Sequence, residues 1–242
     1  MFATDDPPRA QEESQELESV AVINPGSPDG NRAMLAALLS AYSRVDPPKT
    51  IAVVGNAPMP PDPARAAAID AADLVIRMTS FALDDKDGPA ALGRRTDVVV
   101  VHRGVIASPH TFADHTSRLY LLVEPGRLHW EPEEFPFWWP ADLGYVPVSN
   151  REFVLPLLHL LGLARGDQVW PTTGTLMAYL AHELFPAARV LMTGISLIDK
   201  PDQVTFEHAW GEPVGVTPEH RLHAESALLS DWADNGRIEL LP

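Results

Sequence analysis

Ile51-Ala52-Val53-Val54-Gly55-Asn56 is an apolar run that stops at a Gly-Asn turn, and three of its four apolar residues are β-branched. A strand this uniform has no polar face, so it belongs in a parallel sheet covered on both sides. The glycine at its end lets backbone approach a ligand closely, and open α/β sheets bind ligands at such carboxyl ends. The same turn also occurs in α/β domains that bind nothing, so its meaning depends on what surrounds it.

Working outward, similar strands recur. Leu74-Val75-Ile76, ending at Arg77, reads as a second strand, and Asp97-Val98-Val99-Val100-Val101 as a third. Segments 119–123, 189–193 and 238–241 read as further strands, and 19–24 as a short one before the turn at 25–31. Between them, 32–44 carries apolar residues at 34, 35, 38, 39 and 42, the spacing of an amphipathic helix, and Asp46-Pro47-Pro48 ends it. Helices are predicted over 63–72, 110–117, 151–163 and 171–184. A longer one is predicted over 217–235, with Thr217 as cap, Pro218 at the first position and Gly236 beyond the end. Strands alternating with helices predict an α/β fold, a mainly parallel sheet with helices on both faces. Residues 1–18 are charged, polar and Pro-containing and read as a disordered acidic arm, which leaves 19–242 as a single domain. The Pro/Trp-rich segment 125–147, with Trp130, Trp138 and Trp139, reads either as a lid or as an aromatic plug at the core edge.

The bulk properties exclude several functions. The 242 residues include 45% hydrophobic and 21% charged side chains, ordinary for a soluble globular protein. The net charge of −15 argues against a nucleic-acid surface, which needs a basic stripe. It leaves an anionic small ligand possible, because helix ends and a few Arg or His can hold one. With no cysteine, disulfides, thiolate metal sites and a cysteine nucleophile are excluded. No apolar run reaches the ~20 residues of a membrane helix, and the first residues lack a signal-peptide core. The expectation is a cytoplasmic protein without an integral membrane segment.

Candidate chemistry falls at strand and helix ends. Pro171-Thr172-Thr173-Gly174 opens a helix whose N–H groups could hold a phosphate or carboxylate, or be capped by threonine. Thr193-Gly194 ends a strand that would lie near Gly55 if the two strands are neighbours. His220 is expected at the third position of the last helix, where the dipole disfavours imidazolium and leaves a neutral proton acceptor. Glu225 shares the apolar face of Leu222, Leu229 and Trp232, so it needs a partner and is either an ion-pair anchor or part of a site. His208 sits in a loop, in Phe206-Glu207-His208-Ala209-Trp210. No histidine pattern suggests zinc. Asp85-Lys86-Asp87 has the D-x-D form with which many glycosyltransferases hold a divalent metal, set in a Gly/Pro neighbourhood that also suits a solvated loop. No Walker loop, G-x-G-x-x-G or G-x-S-x-G occurs, which disfavours NTPases, dinucleotide-dependent dehydrogenases and serine hydrolases.

In this order the pieces resemble the sialyltransferases of glycosyltransferase family 29. Residues 51–56, followed by Ile69-Asp70, Asp73-Leu74-Val75-Ile76-Arg77-Met78 and Gly93-Arg94-Arg95-Thr96-Asp97, look like the large sialyl motif. Residues 171–174 through 190–194 look like the small motif; His208-Ala209-Trp210 resembles the third, and His220-x4-Glu225 the very short one. Small bacterial proteins with this pattern, some labelled urease-operon accessory proteins, are also similar. The resemblance implies a Rossmann-like three-layer α/β/α sandwich, a GT-A-like variant. It implies inverting transfer of sialic acid, or a related nonulosonic or Kdo-type sugar, from a CMP-sugar to a glycan hydroxyl, with no required metal and no cofactor. By matching position, Asn56, Gly55, Thr172, Thr173, Gly174 and Gly194 would contact the donor, with Arg77 and Glu225 in support. His208 would steady the departing phosphate and His220 would be the general base. Thr79 stands where the family has asparagine, and a hydroxyl makes only part of that amide's contacts. The family's disulfide is impossible here, as reducing cytoplasmic conditions would explain. A nucleotide-binding accessory protein that has lost transfer, or a metal-dependent transferase using Asp85 and Asp87, are the alternatives.

Overall fold

The computed structural model describes residues 28–102, 107–124, 139–140, 142–163 and 169–242. The expected arm at 1–18, the strand at 19–24 and most of the 125–147 segment, including Trp130 and Trp138, lie outside the described residues.

Seven strands form one sheet in the order β5-β4-β3-β2-β1-β6-β9. They are β1 (Thr50–Val54), β2 (Leu74–Met78), β3 (Val98–Val101), β4 (Leu119–Leu122), β5 (Val146–Pro147), β6 (Arg189–Thr193) and β9 (Glu239–Leu240). Every neighbouring pair runs parallel. The uniform apolar runs have the expected cause: Ile51–Val54 and Val98–Val101 are at most 1% exposed, with both faces covered.

One face carries α1 (Pro28–Ala41), α3 (Leu155–Leu160), α4 (Thr173–Leu184) and α5 (Leu222–Asp234), packed on Ile51, Val53, Ile76, Val100, Leu121 and Met192. On the other face, α2 (Pro63–Ala71) covers Ala52, Val54, Val75 and Leu191. The rest of that face is sealed by irregular segments through Phe81, Phe112, Trp139 and Leu143. The sandwich therefore has three layers, the second built from one helix and well-anchored loops. Trp139, which meets Phe112 edge-on with ring centroids 5.4 Å apart, plugs that face.

Several elements differ from their sequence expectation. Helix α1 starts inside the expected 25–31 turn, because Pro28 lacks only an N–H that a first helical turn leaves unused and Asp29 favours the dipole. Segment 110–117 is no helix beyond the 3-10 turn His115–Ser117: Asp114 has φ 52° and Thr111 is engaged with Ser108. The expected 151–163 helix is a π-helical turn, Asn150–Val154, followed by the short α3. Finally α5 begins at Leu222, not at Thr217. A two-stranded antiparallel ribbon, β7 (Thr205–Phe206) and β8 (Val214–Gly215), has no counterpart in the sequence reading.

Candidate active site

The chain winds outward from β1 through β2, β3, β4 and β5, then returns to the other side of β1 as β6. The carboxyl ends of β1 and β6 thus flank the point where strand order reverses, the crevice where open α/β sheets take ligands. A glycine ends each strand here. Gly55 N–H donates to Thr193 O (2.8 Å) and Ala57 N–H to Gly194 O (3.1 Å). The approach is so close that a Cβ on Gly55 would lie 2.1 Å from Gly194 O, and one on Gly194, at φ 68°, would lie 2.8 Å from Gly55 O. Beyond this contact a cavity of about 340 Å³ opens, lined by Gly55, Asn56, Thr79, Thr172, Thr173, Gly174, Gly194, His208 and His220. All the expected donor and catalytic residues thus meet in one cleft.

The β1–β2 wall is held by side-chain bonds between adjacent strand ends. Asn56 Nδ2 donates to Thr79 O, the Asn56 carbonyl accepts from Ala209 N–H at 2.7 Å, and Asn56 Oδ1 is buried without a hydrogen-bond partner. Thr79 donates its hydroxyl hydrogen to Val100 O (2.7 Å). That oxygen can only accept from a ligand, whereas an asparagine amide could donate as well. Ser80 follows at φ 63°, a left-handed conformation uncommon for a non-glycine residue, and also lines the cleft.

The opposite wall is the start of α4, where the first N–H groups have no carbonyl one turn back. Thr172 precedes the helix, but its hydroxyl makes no capping bond, contrary to expectation. It donates instead to Glu225 Oε2 (2.6 Å), and Thr172 N–H donates to the same oxygen (2.9 Å). With the Thr172 hydrogen engaged, Thr175 Oγ1, 3.1 Å away, is the donor of that pair. Glu225 is fully buried, in the first turn of α5, and its Oε1 has no partner. So it is a hydrogen-bond anchor for the Pro-Thr-Thr-Gly turn, with no ion pair among the described residues. The Thr173 hydroxyl and the N–H groups of Thr173 and Gly174 are what this turn presents at the cleft. Gly174 is small for a packing reason too, since a Cβ there would lie 2.7 Å from Ile195 Cδ1.

His220 does not sit inside a helix. Residues 217–220 form a turn closed by His220 N–H to Thr217 O (3.1 Å), and the first helical residue is Leu222. Thr217-Pro218 imitates a helix start, but the backbone here bonds elsewhere: Trp170 N–H donates to Glu219 O (3.2 Å). The Trp170 carbonyl in turn faces His220 Nδ1 at 3.1 Å. A carbonyl only accepts, so Nδ1 carries the hydrogen and neutral His220 presents a bare Nε2 lone pair. A carbonyl contact, not the helix dipole, thus makes it a proton acceptor. Phe206 packs edge-on against the ring, with centroids 6.3 Å apart.

His208 lies on the loop of the β7–β8 ribbon, which brings Phe206, Trp210, Glu207 and Glu212 to the cleft as well. Burial lowers the His208 pKa, partly offset by Glu207, so a neutral ring that gains charge when an anion arrives is the chemistry available there. His102, directly after β3, also lines the cleft, and desolvation against the protein around it lowers its pKa, with Glu124 opposing. No sequence motif marks His102 or the ribbon strands. His102 has no motif, only its position at the carboxyl end of a buried strand.

Other motif residues build the frame. Arg77 is fully buried, donates to Arg95 O (2.9 Å) and Leu92 O (2.7 Å), and desolvation pushes its pKa down to about 10, so it stays charged at neutral pH. Asp70 accepts from Arg94 and Arg95 N–H groups, and Asp97 from Val75 N–H (2.7 Å). Asp84 accepts from the N–H groups of Ala91, Leu92 and Gly93. Asp85 and Asp87 are exposed on a turn outside the cleft lining. Among the described residues no group of three or more His, Cys, Asp or Glu side chains is arranged to hold a metal ion, and no helix is long and apolar enough to cross a membrane.

No family model matches the sequence, and no curated protein matches it. Solved structures do. A mammalian sialyltransferase aligns over 90% of this chain and 80% of its own, with TM-score 0.55 and 18% identity. A mammalian sialyltransferase in complex with Gal-beta-1-3GalNAc-ortho-nitrophenol aligns over 90% of this chain and 75% of its own, again with TM-score 0.55 and 18% identity. The seven-stranded parallel sheet with its flanking helices is therefore the α/β fold of those sialyltransferases.

Proposed function

We propose that the protein is a glycosyltransferase that moves sialic acid, or a related nonulosonic or Kdo-type sugar, from a CMP-sugar to a hydroxyl of a glycan. The observation that carries this reading is the convergence of Gly55, Asn56, Thr173, Gly174, His208 and His220 on one cleft at the strand-order reversal. The start of α4 receives the phosphate with its N–H groups and positive dipole end. His220 Nε2 takes the proton from the acceptor hydroxyl as that oxygen attacks the anomeric carbon. The bond from that carbon to the CMP phosphate breaks, with inversion, and His208 donates a hydrogen bond to the departing phosphate. No step requires Asp85 or Asp87, which supports a metal-independent mechanism. With a cytoplasmic location, the acceptor is met in the cytosol or at the inner membrane face.

A nucleotide-binding accessory role keeps one supporting observation: the Thr79 hydroxyl, already donated to Val100 O, weakens the donor contact that an asparagine would make. Thermal unfolding with CMP, UDP and GDP separates the possibilities. CMP protection is expected; protection by UDP or GDP instead rejects the CMP-sugar reading. His220→Ala should then abolish transfer yet leave CMP binding nearly intact. Equal loss of both defeats the general-base assignment, and binding without transfer for any CMP-sugar in the native protein favours the accessory role.

A further inference from the structure

His102 has no part in the function proposed above, although it reaches the same cleft. The layout of the cleft says what it can meet. Carboxyl ends of β6, β1, β2 and β3 line the floor in that order. At ~4.8 Å per strand spacing the floor is about 14 Å long. The start of α4 stands over its middle, since the Cβ position of Gly174 lies between Ile195 Cδ1 beyond β6 (2.7 Å) and Met78 Cε at the end of β2 (3.6 Å). His220 is held against that same helix start through Trp170.

The groups around the floor differ in chemistry. The β7–β8 ribbon, tied to the end of β1 by Ala209 N–H to Asn56 O (2.7 Å), offers Trp210 and, beside His220, Phe206, flat apolar surfaces of the kind on which a nucleobase stacks. The β2–β3 side offers Ser80 and His102. A neutral imidazole has one N–H donor and one nitrogen acceptor, which suits vicinal hydroxyls better than an aromatic base. In a CMP-sugar the phosphate lies between the nucleoside and the sugar. With the phosphate at the start of α4 and the base on the ribbon, the sugar must extend toward β3.

We propose that His102, with Ser80 beside it, binds the transferred sugar of the donor, and that neither residue contributes to binding of the nucleotide. This assignment rests on the CMP-sugar reading and adds a direction to it: base on the ribbon, sugar over β3. His102 is a substrate-binding residue here and takes no proton in the transfer.

The test compares CMP, CMP-sialic acid and CMP-Kdo by calorimetric binding to the native protein, His102→Phe and His102→Gln. The phenylalanine keeps the ring volume and removes both hydrogen-bonding atoms, and the glutamine restores a donor and an acceptor. For whichever CMP-sugar the native protein holds more tightly, His102→Phe should weaken binding about tenfold, the loss of one or two buried hydrogen bonds. CMP affinity should stay within twofold, and His102→Gln should recover part of the loss. Equal weakening of CMP and CMP-sugar by His102→Phe, or no weakening of either, overturns the assignment while leaving the donor class intact. Failure of the native protein to bind CMP or either CMP-sugar defeats the donor reading, and the assignment with it.

Discussion

Glu225 makes the sharpest stability test in the molecule. Its Oε2 accepts two hydrogen bonds from Thr172, at 2.6 and 2.9 Å, and both groups are buried. Removing the carboxylate in Glu225→Ala leaves two buried donors without an acceptor, at about 1–3 kcal/mol each, and a cavity besides. The expected loss is about 3–5 kcal/mol. Thr172→Val keeps the N–H bond but loses the hydroxyl-to-carboxylate bond and the acceptor of the Thr175 hydroxyl, so about 1.5–3 kcal/mol is expected. In Glu225→Leu with Thr172→Val, the hydroxyl no longer lacks a partner because it is gone. The double variant should therefore be more stable than the sum of its single variants by about 1–2 kcal/mol, once Glu225→Leu is measured alone. Urea unfolding at 25 °C reads this as shifts in midpoint at constant slope. Additive single changes, or a loss below about 1 kcal/mol for Glu225→Ala, would refute the claim that this carboxylate anchors the turn. CMP affinity should fall along with stability in Glu225→Ala, because the turn it anchors carries the Thr173 and Gly174 N–H groups.

The remaining expectations are simpler. Gly55→Ala places a Cβ 2.1 Å from the Gly194 carbonyl, so the two strand ends must part; thermal unfolding should show a loss above about 3 kcal/mol and CMP binding should disappear. Asp85→Asn combined with Asp87→Asn should change stability by less than about 0.5 kcal/mol and leave transfer rates unaltered, because both side chains are exposed outside the cleft. Burial lowers the pKa values of His110 and His208. The unfolded chain then binds protons first as pH falls, so the stability from their neutral forms is complete above about 6.5 and declines as pH drops from there through the lowered folded values. Melting temperatures at pH 7.5 and 5.5 should differ in that sense, and replacing these two histidines with glutamine should shrink the difference.

Much of the fold was legible because its strands are extreme. Runs such as Val98–Val101 fit only a sheet covered on both faces, and Gly55 and Gly194 mark where two of them touch. Less was legible where a tertiary partner outbid a local signal. Thr217-Pro218 carries a full helix-start signature, yet the bond between Trp170 and Glu219, residues far apart in the chain, holds that segment as a turn. Thr172 has the right residue type for a cap, but a carboxylate from another helix takes its hydroxyl. The ribbon was invisible because two-residue strands such as Thr205–Phe206 are too short to show a period. His102 could have been noticed as the first polar residue after a buried strand, a rule that relies on geometry alone.

The place of β1 in the sheet has a consequence for how the protein becomes active. Its β2 neighbour follows within one short helix, but its β6 neighbour arrives only after more than half the chain has passed, with Val54 opposite Thr193. Closing so distant a parallel pair is entropically expensive and slow. Gly55 therefore meets Gly194, and the cleft between them takes shape, late in folding, and His220 lies further along still. Ligand protection should thus appear as a single late event, with no partial binding by the amino-terminal half on its own.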